Sequence, residues 1–344
     1  MTSLAPIIEA LNAPQLQWRN LPRGASAPGK EWYHFCVIAP GLELIINFSL
    51  EADLRPAATQ ASVSRLIVLA RTQGWHGAVE TFSPGEVSGS PTDVHLELGP
   101  HRLRFEDGVF HLAIRPQEGG LSAVLRLEPL AMPLRSQGAT LGDGSLSWVV
   151  VPALRARGSV RVGDRLFRLD GAPAYHDHNW GTWRWGSDFA WQWGFGLPAG
   201  GSPWSLVFSR MTNRARTREL DRKLCLWRDG RLVRLFTERD VEVRPEGYLR
   251  REHVWKVPAI MALLSPGDAL DVPRTLHVTA RSGQDHLTLR FDADDVAQIV
   301  IPNETDLGVT LISEVCGRLA LRGCVQGEPL TAEGAGVFEH VHPG

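Results

Sequence analysis

Short runs in which apolar and polar residues alternate recur along the whole chain, separated by turn sequences. A period of two is typical of a strand with one buried face, and the 3.6-residue period of an amphipathic helix is hardly seen. A short helix is predicted over Pro6–Leu11. The predicted strands are Glu43–Phe48, Arg65–Ala70, Asp93–Leu98, Leu103–Phe105, Val109–Ile114, Leu121–Leu127, Ser205–Phe208, Lys223–Trp227, Arg231–Phe236, Val241–Val243, Thr275–Ala280, His286–Phe291 and Gly308–Ser313.

Asp-Gly pairs join two pairs of these strands, one pair in each half of the chain. Asp107-Gly108 and Asp229-Gly230 are typical of type I′ hairpin turns, and Gly163-Asp164 is a weaker signal. A chain of 344 residues suits two domains. Antiparallel strands at this spacing favour barrels, which have no exposed sheet edges and can hold one small apolar ligand. We therefore predict an all-β protein of two antiparallel domains, divided just after Gly181.

Composition and charge narrow the possible partners. The net charge is -2, so no strong basic field indicates binding to nucleic acid. Residues 1–16 do not resemble a signal peptide, and no apolar run is long enough to cross a bilayer, so we expect a soluble cytoplasmic protein. The cysteines show no C-x-x-C spacing, which favours reduced, mostly buried thiols over a disulfide framework or a zinc site. They are Cys36, Cys225, Cys316 and Cys324.

The segment Tyr175–Trp185 concentrates the chemistry of the chain. It holds two imidazoles, a carboxyl, a phenol, an amide and three indoles, and Trp191, Trp193 and Trp204 follow it. Indole rings bind apolar or π-rich ligands at low entropic cost, and titratable groups in an aromatic wall have perturbed pKa values. We therefore predict that this segment forms the active site.

Strand alternation divides the segment into two faces. If Ala174–Asn179 is extended, Tyr175, Asp177 and Asn179 share one face, and His176 and His178 share the other. Loss of solvation among Trp rings raises the pKa of a carboxyl, and a protonated carboxyl can donate its proton to an electron-rich alkene. Aromatic faces can then stabilise the resulting carbocation.

The two histidines also allow a metal-binding interpretation. His176-x-His178 places two imidazoles on one side of a strand, as a pair of metal ligands requires. A third ligand would have to come from elsewhere in the chain, such as His76, His253 or Glu314. We expect no metal, because two histidines without a clear third ligand rarely form a site.

Structural roles are the alternative for the acid and for several tryptophans. Asp177 could accept hydrogen bonds from backbone N–H groups at a sharp turn in Asn179–Gly181. Trp204, Trp227 and Trp255 could contribute only to a core, since aromatic residues often serve burial alone.

The central motif resembles a known family signature. Tyr175–Gly181, read as Y-H-D-H-N-W-G, resembles the Y-x-D-H-N-W-G signature of the carotenoid 1,2-hydratases, or hydroxyneurosporene synthases, of the AttH-like lipocalin superfamily. Their relatives include tocopherol-cyclase-like proteins and fungal decalin-forming Diels–Alderases. Weaker similarities occur in the same order along the chain, at Glu31–Phe35, Trp148 with Val151-Pro152, Gly158, Val160 and Gly171, Glu314 with Gly317, and Gly334–Gly336 with Glu339.

The resemblance implies two tandem lipocalin-like β-barrel domains, at 17–181 and 182–344, no organic cofactor, and a lipophilic polyene or isoprenoid substrate. In the hydratases, an acid at the position of Asp177 protonates a terminal isoprenoid double bond. Water then quenches the tertiary cation, with assistance from a tyrosine at the position of Tyr175.

One departure from the family pattern concerns the histidine that could handle the water added in hydration. The hydratases have a histidine two residues before the tryptophan of the W-x-x-P strand, where this chain has Leu146 ahead of Trp148. In the second half, Ser313 replaces the aromatic residue expected before Glu314. These differences leave hydration, cyclisation and isomerisation as open outcomes of protonation.

The leading prediction is a cofactor-independent enzyme that acts on a C=C bond of a lipophilic isoprenoid or polyene and meets it through transient contact with a membrane surface. A pericyclic cyclase and a carrier of lipophilic ligands are the alternatives. The predicted catalytic residues are Asp177, Tyr175, Asn179 and His178. The predicted substrate-binding residues are Trp148, Trp180, Trp183, Trp185, Trp191, Trp193, Tyr33 and Glu314.

Overall fold

The computed structural model describes residues 28–52, 63–90, 93–115, 120–141, 144–186, 189–198, 201–250, 254–258 and 271–343. These residues form β-strands almost throughout, with single 3-10 turns at Pro84–Glu86 and Glu238–Asp240. The predicted helix Pro6–Leu11 and the candidate ligand His253 lie outside the described residues. The chain divides into two compact units, Met1–Arg184 and Trp185–Gly344.

The described part of the first unit contains one twelve-stranded antiparallel sheet. Its strand order is β4-β3-β2-β1-β12-β11-β9-β8-β7-β6-β5, and β10 pairs with β11. β3 also contacts β6 from the other half of the order, so the sheet curls back on itself towards a barrel. The strands are β1 (Gly29–Ala39), β2 (Leu42–Ala52), β3 (Val63–Arg71), β4 (Trp75–Phe82), β5 (Val87–Gly89), β6 (His95–Leu98), β7 (His101–Glu106), β8 (Val109–Ile114), β9 (Leu121–Pro129), β10 (Leu134–Leu141), β11 (Gly144–Val162) and β12 (Arg165–Thr182).

The described part of the second unit contains a ten-stranded sheet in the order β16-β15-β14-β13-β22-β21-β20-β19-β17. The short strand β18 pairs with β20 in parallel, whereas every other pairing in this sheet is antiparallel. β15 contacts β17, which brings the two ends of the order together. The strands are β13 (Phe189–Pro198), β14 (Trp204–Asn213), β15 (Glu219–Arg228), β16 (Arg231–Thr237), β17 (Val241–Tyr248), β18 (Val254–Val257), β19 (Pro273–Ser282), β20 (Asp285–Pro302), β21 (Val309–Val325) and β22 (Glu328–Pro343).

Each unit has its own hydrophobic core, built from the alternate residues of its strands. In β8 and β9 the buried and partly exposed positions alternate, which is why the sequence pattern predicts these strands well. The first core includes Tyr33, Phe35, Phe110 and Trp180. The second core includes residues such as Phe338, whose ring stacks on Phe291 with centroids 4.2 Å apart.

The two predicted Asp-Gly hairpins are confirmed. Asp107 and Gly108 have φ of 52° and 78°, and Asp229 and Gly230 have φ of 50° and 72°. A type I′ turn requires positive φ at both central residues, which glycine adopts without strain and aspartate tolerates better than most residues. At Gly163-Asp164 the glycine alone has positive φ.

Candidate active site

The central motif lies in β12, between β1 and β11, and both faces of the strand are buried there. Asp177 pairs with His34 of β1 and Val150 of β11, so the motif is extended and hydrogen-bonded on both sides. β12 continues to Thr182, and the alternative that Asp177 caps a turn at Asn179–Gly181 is therefore wrong. Period-two alternation places Tyr175, Asp177 and Asn179 on one face.

We call this side of the sheet the Asp177 face. Residues directly opposite each other in an antiparallel pair have their side chains on the same side. Register therefore adds three residues of β1 and three of β11 to the three motif residues of β12. The members are Trp32, His34, Cys36, Leu146, Trp148, Val150, Tyr175, Asp177 and Asn179.

The Asp177 carboxyl is held in place by a neighbouring amide. Asn179 donates a hydrogen bond from Nδ2 to Asp177 Oδ1. Asp177 is 3% exposed and Tyr175 is fully buried, so the carboxyl and the phenol are largely removed from water. In general, burial opposes the ionisation of a carboxyl, whereas a hydrogen bond donated to it favours the ionised form. Leu146, at the position where the hydratases have histidine, lies on this same face opposite Gly181.

The opposite face of β12 carries a separate polar network inside the first core. His178 Nε2 lies 2.6 Å from Glu31 Oε1, and Tyr33 donates its hydroxyl to the same oxygen at 3.0 Å. The rings of Tyr33 and His178 stack with centroids 4.0 Å apart. His176 donates from Nδ1 to the His34 carbonyl at 2.9 Å. Tyr33, His178 and Trp180 therefore lie apart from the Asp177 carboxyl.

Burial keeps the histidines of β1 and β12 neutral. It lowers the pKa of His34 to about 4 and that of His178 to about 3. Burial also lowers the pKa of His176 well below its ordinary value, although the hydrogen bond to the His34 carbonyl opposes this shift. Neutral imidazoles can each donate from one ring nitrogen and accept at the other.

A second acid site lies in the second unit, on β13, β21 and β22, where Glu314 is buried and Glu339 is partly buried. Glu314 and Glu339 stand opposite each other in register and are hydrogen-bonded. Trp191 donates its indole N–H to Glu339, and Trp193 is the register partner of Glu339 on β13. Burial raises the pKa of Glu339 to about 7, against the lowering effect of the hydrogen bonds from Trp191 and Glu314.

The remaining predicted aromatic residues form two groups of ring–ring contacts. Trp183 packs edge-on against Trp32, with ring centroids 5.2 Å apart and an interplanar angle of 86°. Trp185 lies 5.7 Å from Trp191 between ring centroids, and Phe189 adds to that cluster. Of the tryptophans considered as core residues, Trp227 is fully buried, and Trp204 packs against the second core.

Sequence reasoning missed three polar residues of the first unit that the structure brings together. His34 Nε2 lies 3.1 Å from Cys36 Sγ, and Asn47 Nδ2 lies 3.4 Å from His34 Nδ1. Asn47 is the β2 partner of His34 in register. The His34-x-Cys36 spacing in an extended segment was the available signal. Glu339 was also missed as a site residue, since only strand pairing reveals its partner Glu314.

The described residues provide neither a cluster of metal ligands nor a membrane-spanning helix. Among the described ranges, no three His, Cys, Asp or Glu side chains are grouped so that they could hold a metal ion. His176 and His178 instead contact the His34 carbonyl and Glu31. In the same part of the chain, no helix has the length and apolar character needed to span a membrane. The four cysteines are free thiols, and Cys324 alone among them is partly exposed.

The fold defines a class of all-β proteins in which two antiparallel barrels follow each other in one chain. Solved structures that share this fold include the following three. A candidate AttH protein from Nitrosomonas europaea matches with a TM-score of 0.64 and 15% identity, over 91% of this chain and 92% of that protein. Kievitone hydratase from Nectria haematococca matches with a TM-score of 0.62 and 14% identity, over 97% and 94%. CghA bound to Sch210972 matches with a TM-score of 0.59 and 13% identity, over 92% and 88%.

These likenesses confirm the predicted all-β fold of two antiparallel domains. At 13–15% identity they are likenesses of fold. No protein-family model matches the chain, and no curated protein matches it by sequence.

Proposed function

We propose that this protein is a cofactor-independent enzyme that donates a proton from Asp177 to a C=C bond of a lipophilic isoprenoid or polyene. One observation carries the proposal: the Asp177 carboxyl is buried on a face that it shares with Tyr175, Trp32 and Trp148, apart from the histidines of the core. A desolvated carboxyl beside indole rings is suited to protonating an alkene. The fold shared with a kievitone hydratase supports the same class of reaction.

The proposed chemistry begins with transfer of the Asp177 proton to one alkene carbon, which leaves a carbocation on the other. Asn179 holds the carboxyl in a fixed orientation, and the indole faces of Trp32 and Trp148 stabilise the cation. In hydration, water adds to the cation and its proton returns to Asp177. In cyclisation, a second double bond of the substrate adds instead, and loss of a proton from carbon restores the acid.

Asp177→Asn tests the acid directly. The amide is similar in size to the carboxyl but cannot donate its proton as an acid, so we expect turnover of an acyclic carotenoid such as neurosporene to fall at least about 100-fold. Binding of the carotenoid, measured by quenching of Trp fluorescence, should remain. Asp170→Asn is the matched control, because Asp170 lies on the same strand with its side chain fully exposed. Full activity of Asp177→Asn would remove the acid from the mechanism.

A pericyclic cyclase is the second candidate, because the family that the central motif resembles has fungal decalin-forming Diels–Alderases among its relatives. In that mechanism, the site holds a polyene in a reactive conformation, and no proton is transferred to carbon. Reaction in D₂O separates the two candidates. Protonation by Asp177 places one deuterium on a product carbon, and a cycloaddition places none. Recovery of unchanged polyene after long incubation would support a carrier instead.

A further inference from the structure

Three side chains of the first unit form a connected line on β1 and β2, which we call the Cys36 triad: Cys36, His34 and Asn47. Cys36 and His34 are two residues apart on β1 and lie on the Asp177 face, with Nε2 and Sγ 3.1 Å apart. Asn47 reaches the other ring nitrogen of His34 from β2, at 3.4 Å. The order is that of a nucleophile, a base and a residue that orients the base.

The orientation of the Asn47 amide sets the direction of this line. In the structure, Asn47 Nδ2 faces His34 Nδ1, and Asn47 Oδ1 is buried without a hydrogen-bond partner among the described residues. In that orientation the amide donates to Nδ1, whereas an amide rotated by 180° accepts the Nδ1–H of the neutral imidazole through Oδ1. The triad requires the rotated orientation, which leaves the lone pair of His34 Nε2 directed at the Cys36 S–H.

The His34 imidazole is in its neutral form, which is the form that can accept a proton. Burial lowers the pKa of His34 to about 4, so the ring is neutral at physiological pH and can accept the thiol proton during attack. Cys225 provides a contrast within the same chain. Its burial raises the pKa of its thiol to about 12, and its charged neighbours are Lys223 and Asp221.

We propose that the Cys36 triad is a nucleophilic thiol site that adds to electron-poor alkenes, namely α,β-unsaturated carbonyl compounds with a lipophilic body. The site is independent of proton donation by Asp177 to an electron-rich alkene. Tyr175 stands opposite Cys36 in register, and Asp177 stands opposite His34. The phenol of Tyr175 supplies a hydrogen-bond donor on the face where the carbonyl oxygen of such a compound would lie.

The reaction needs no oxidant or reductant. Sulfur forms a bond to the β-carbon as the C=C π bond breaks, and the electron pair moves through the α-carbon to the carbonyl oxygen. The thiol proton passes to His34 Nε2 and then to the α-carbon of the enolate. The net change is addition of S–H across the double bond, which leaves His34 neutral.

N-Ethylmaleimide, a compact α,β-unsaturated carbonyl compound, tests this site in the intact folded chain. Peptide mapping by mass spectrometry gives the labelling rate of each cysteine. We expect Cys36 to react at least about tenfold faster than Cys225 and Cys316, although all three are buried. Equal or slower labelling of Cys36 would overturn the proposal.

Variants of the other two residues separate activation from access. His34→Gln keeps a side chain of similar reach but removes the base, and should slow labelling of Cys36 about 100-fold. Asn47→Asp keeps an acceptor for Nδ1–H and should retain most of the rate, whereas Asn47→Leu should lower it about tenfold. Far-UV circular dichroism checks folding, and the two Asn47 variants suffice if His34→Gln does not fold. An unchanged Cys36 rate in His34→Gln, or equal rates in the two Asn47 variants, would show that access alone controls labelling and would refute the triad.

Discussion

Replacement of Glu339 by Gln should change how the stability of the second unit depends on pH. In the wild-type protein, the partly buried Glu339 carboxyl lies between Glu314 and the Trp191 indole. Glutamine can keep both contacts, since its oxygen accepts from Trp191 and its NH₂ group donates to Glu314. The substitution therefore removes one ionisation with little change in shape.

The size of the effect follows from the pKa of Glu339, which burial raises from 4.5 to about 7. Below pH 4.5 the group is protonated in both the folded and the unfolded chain, and its ionisation costs nothing. Between pH 4.5 and 7 the unfolded chain releases the proton first, so the free energy of unfolding falls as pH rises. This rise in pKa corresponds to about 3 kcal/mol of the free energy of unfolding. The wild-type protein has lost that stability in full above pH 7.

Urea unfolding followed by Trp fluorescence, at half-unit steps from pH 4 to 8.5, measures this difference. The free energy of unfolding of Glu339→Gln relative to wild type should rise by about 3 kcal/mol between pH 4.5 and pH 8. Glu333→Gln is the matched control, because Glu333 is an exposed residue of the same strand, β22. Curves for wild type and Glu339→Gln that stay parallel within about 1 kcal/mol would refute the reasoning.

Two further substitutions test contacts in the first unit. Glu31→Ala leaves Tyr33 and His178 without their shared buried acceptor, so we expect a loss of about 3 kcal/mol in chemical unfolding, while Glu31→Gln, which keeps an oxygen, should lose less. Similar unfolding midpoints for Glu31→Ala and wild type would show that the network contributes little. Gly181→Ala places a Cβ against a backbone carbonyl of β11 and should cost about 1–3 kcal/mol, whereas Gly74→Ala, with open space around its Cβ, should stay within about 0.5 kcal/mol of wild type. Equal thermal stability of these two variants would contradict the close approach of β11 and β12.

Local sequence features predicted the parts of the fold that depend on local physics. The Asp107-Gly108 and Asp229-Gly230 turns need positive φ at two adjacent residues. Aspartate and glycine favour that conformation locally, whatever the rest of the chain does. β8 is buried on one face only, so apolar and polar residues alternate clearly in its sequence. Its predicted bounds, Val109–Ile114, are those of the structure. β12 is buried on both faces around Asp177, and there the alternation of polarity disappears.

Contacts between strands could not be predicted from the sequence, because the register of strand pairing depends on the whole sheet. The period of two correctly separated Asp177 from His176 and His178, since that division depends on one strand alone. The approach of Asn47 to His34 depends on how β2 pairs with β1. The pairing of Glu314 with Glu339 depends in the same way on β21 and β22. Without these registers, His34, Asn47 and Glu339 look like ordinary polar positions.

The two buried faces of β12 also limit how this site can evolve. A slip of one residue against β1 would exchange Asp177 with an imidazole and carry the carboxyl into the first core, at a large desolvation cost. The hydrogen bonds that Glu31 receives from His178 and Tyr33 oppose such a slip. Selection for a new substrate is therefore constrained at residues 175–180, where the side chains on both faces of the strand are buried. Trp32 and Trp148, on the neighbouring strands, can change the shape of the Asp177 face without altering that motif, and they are the first positions to vary in a search for altered specificity.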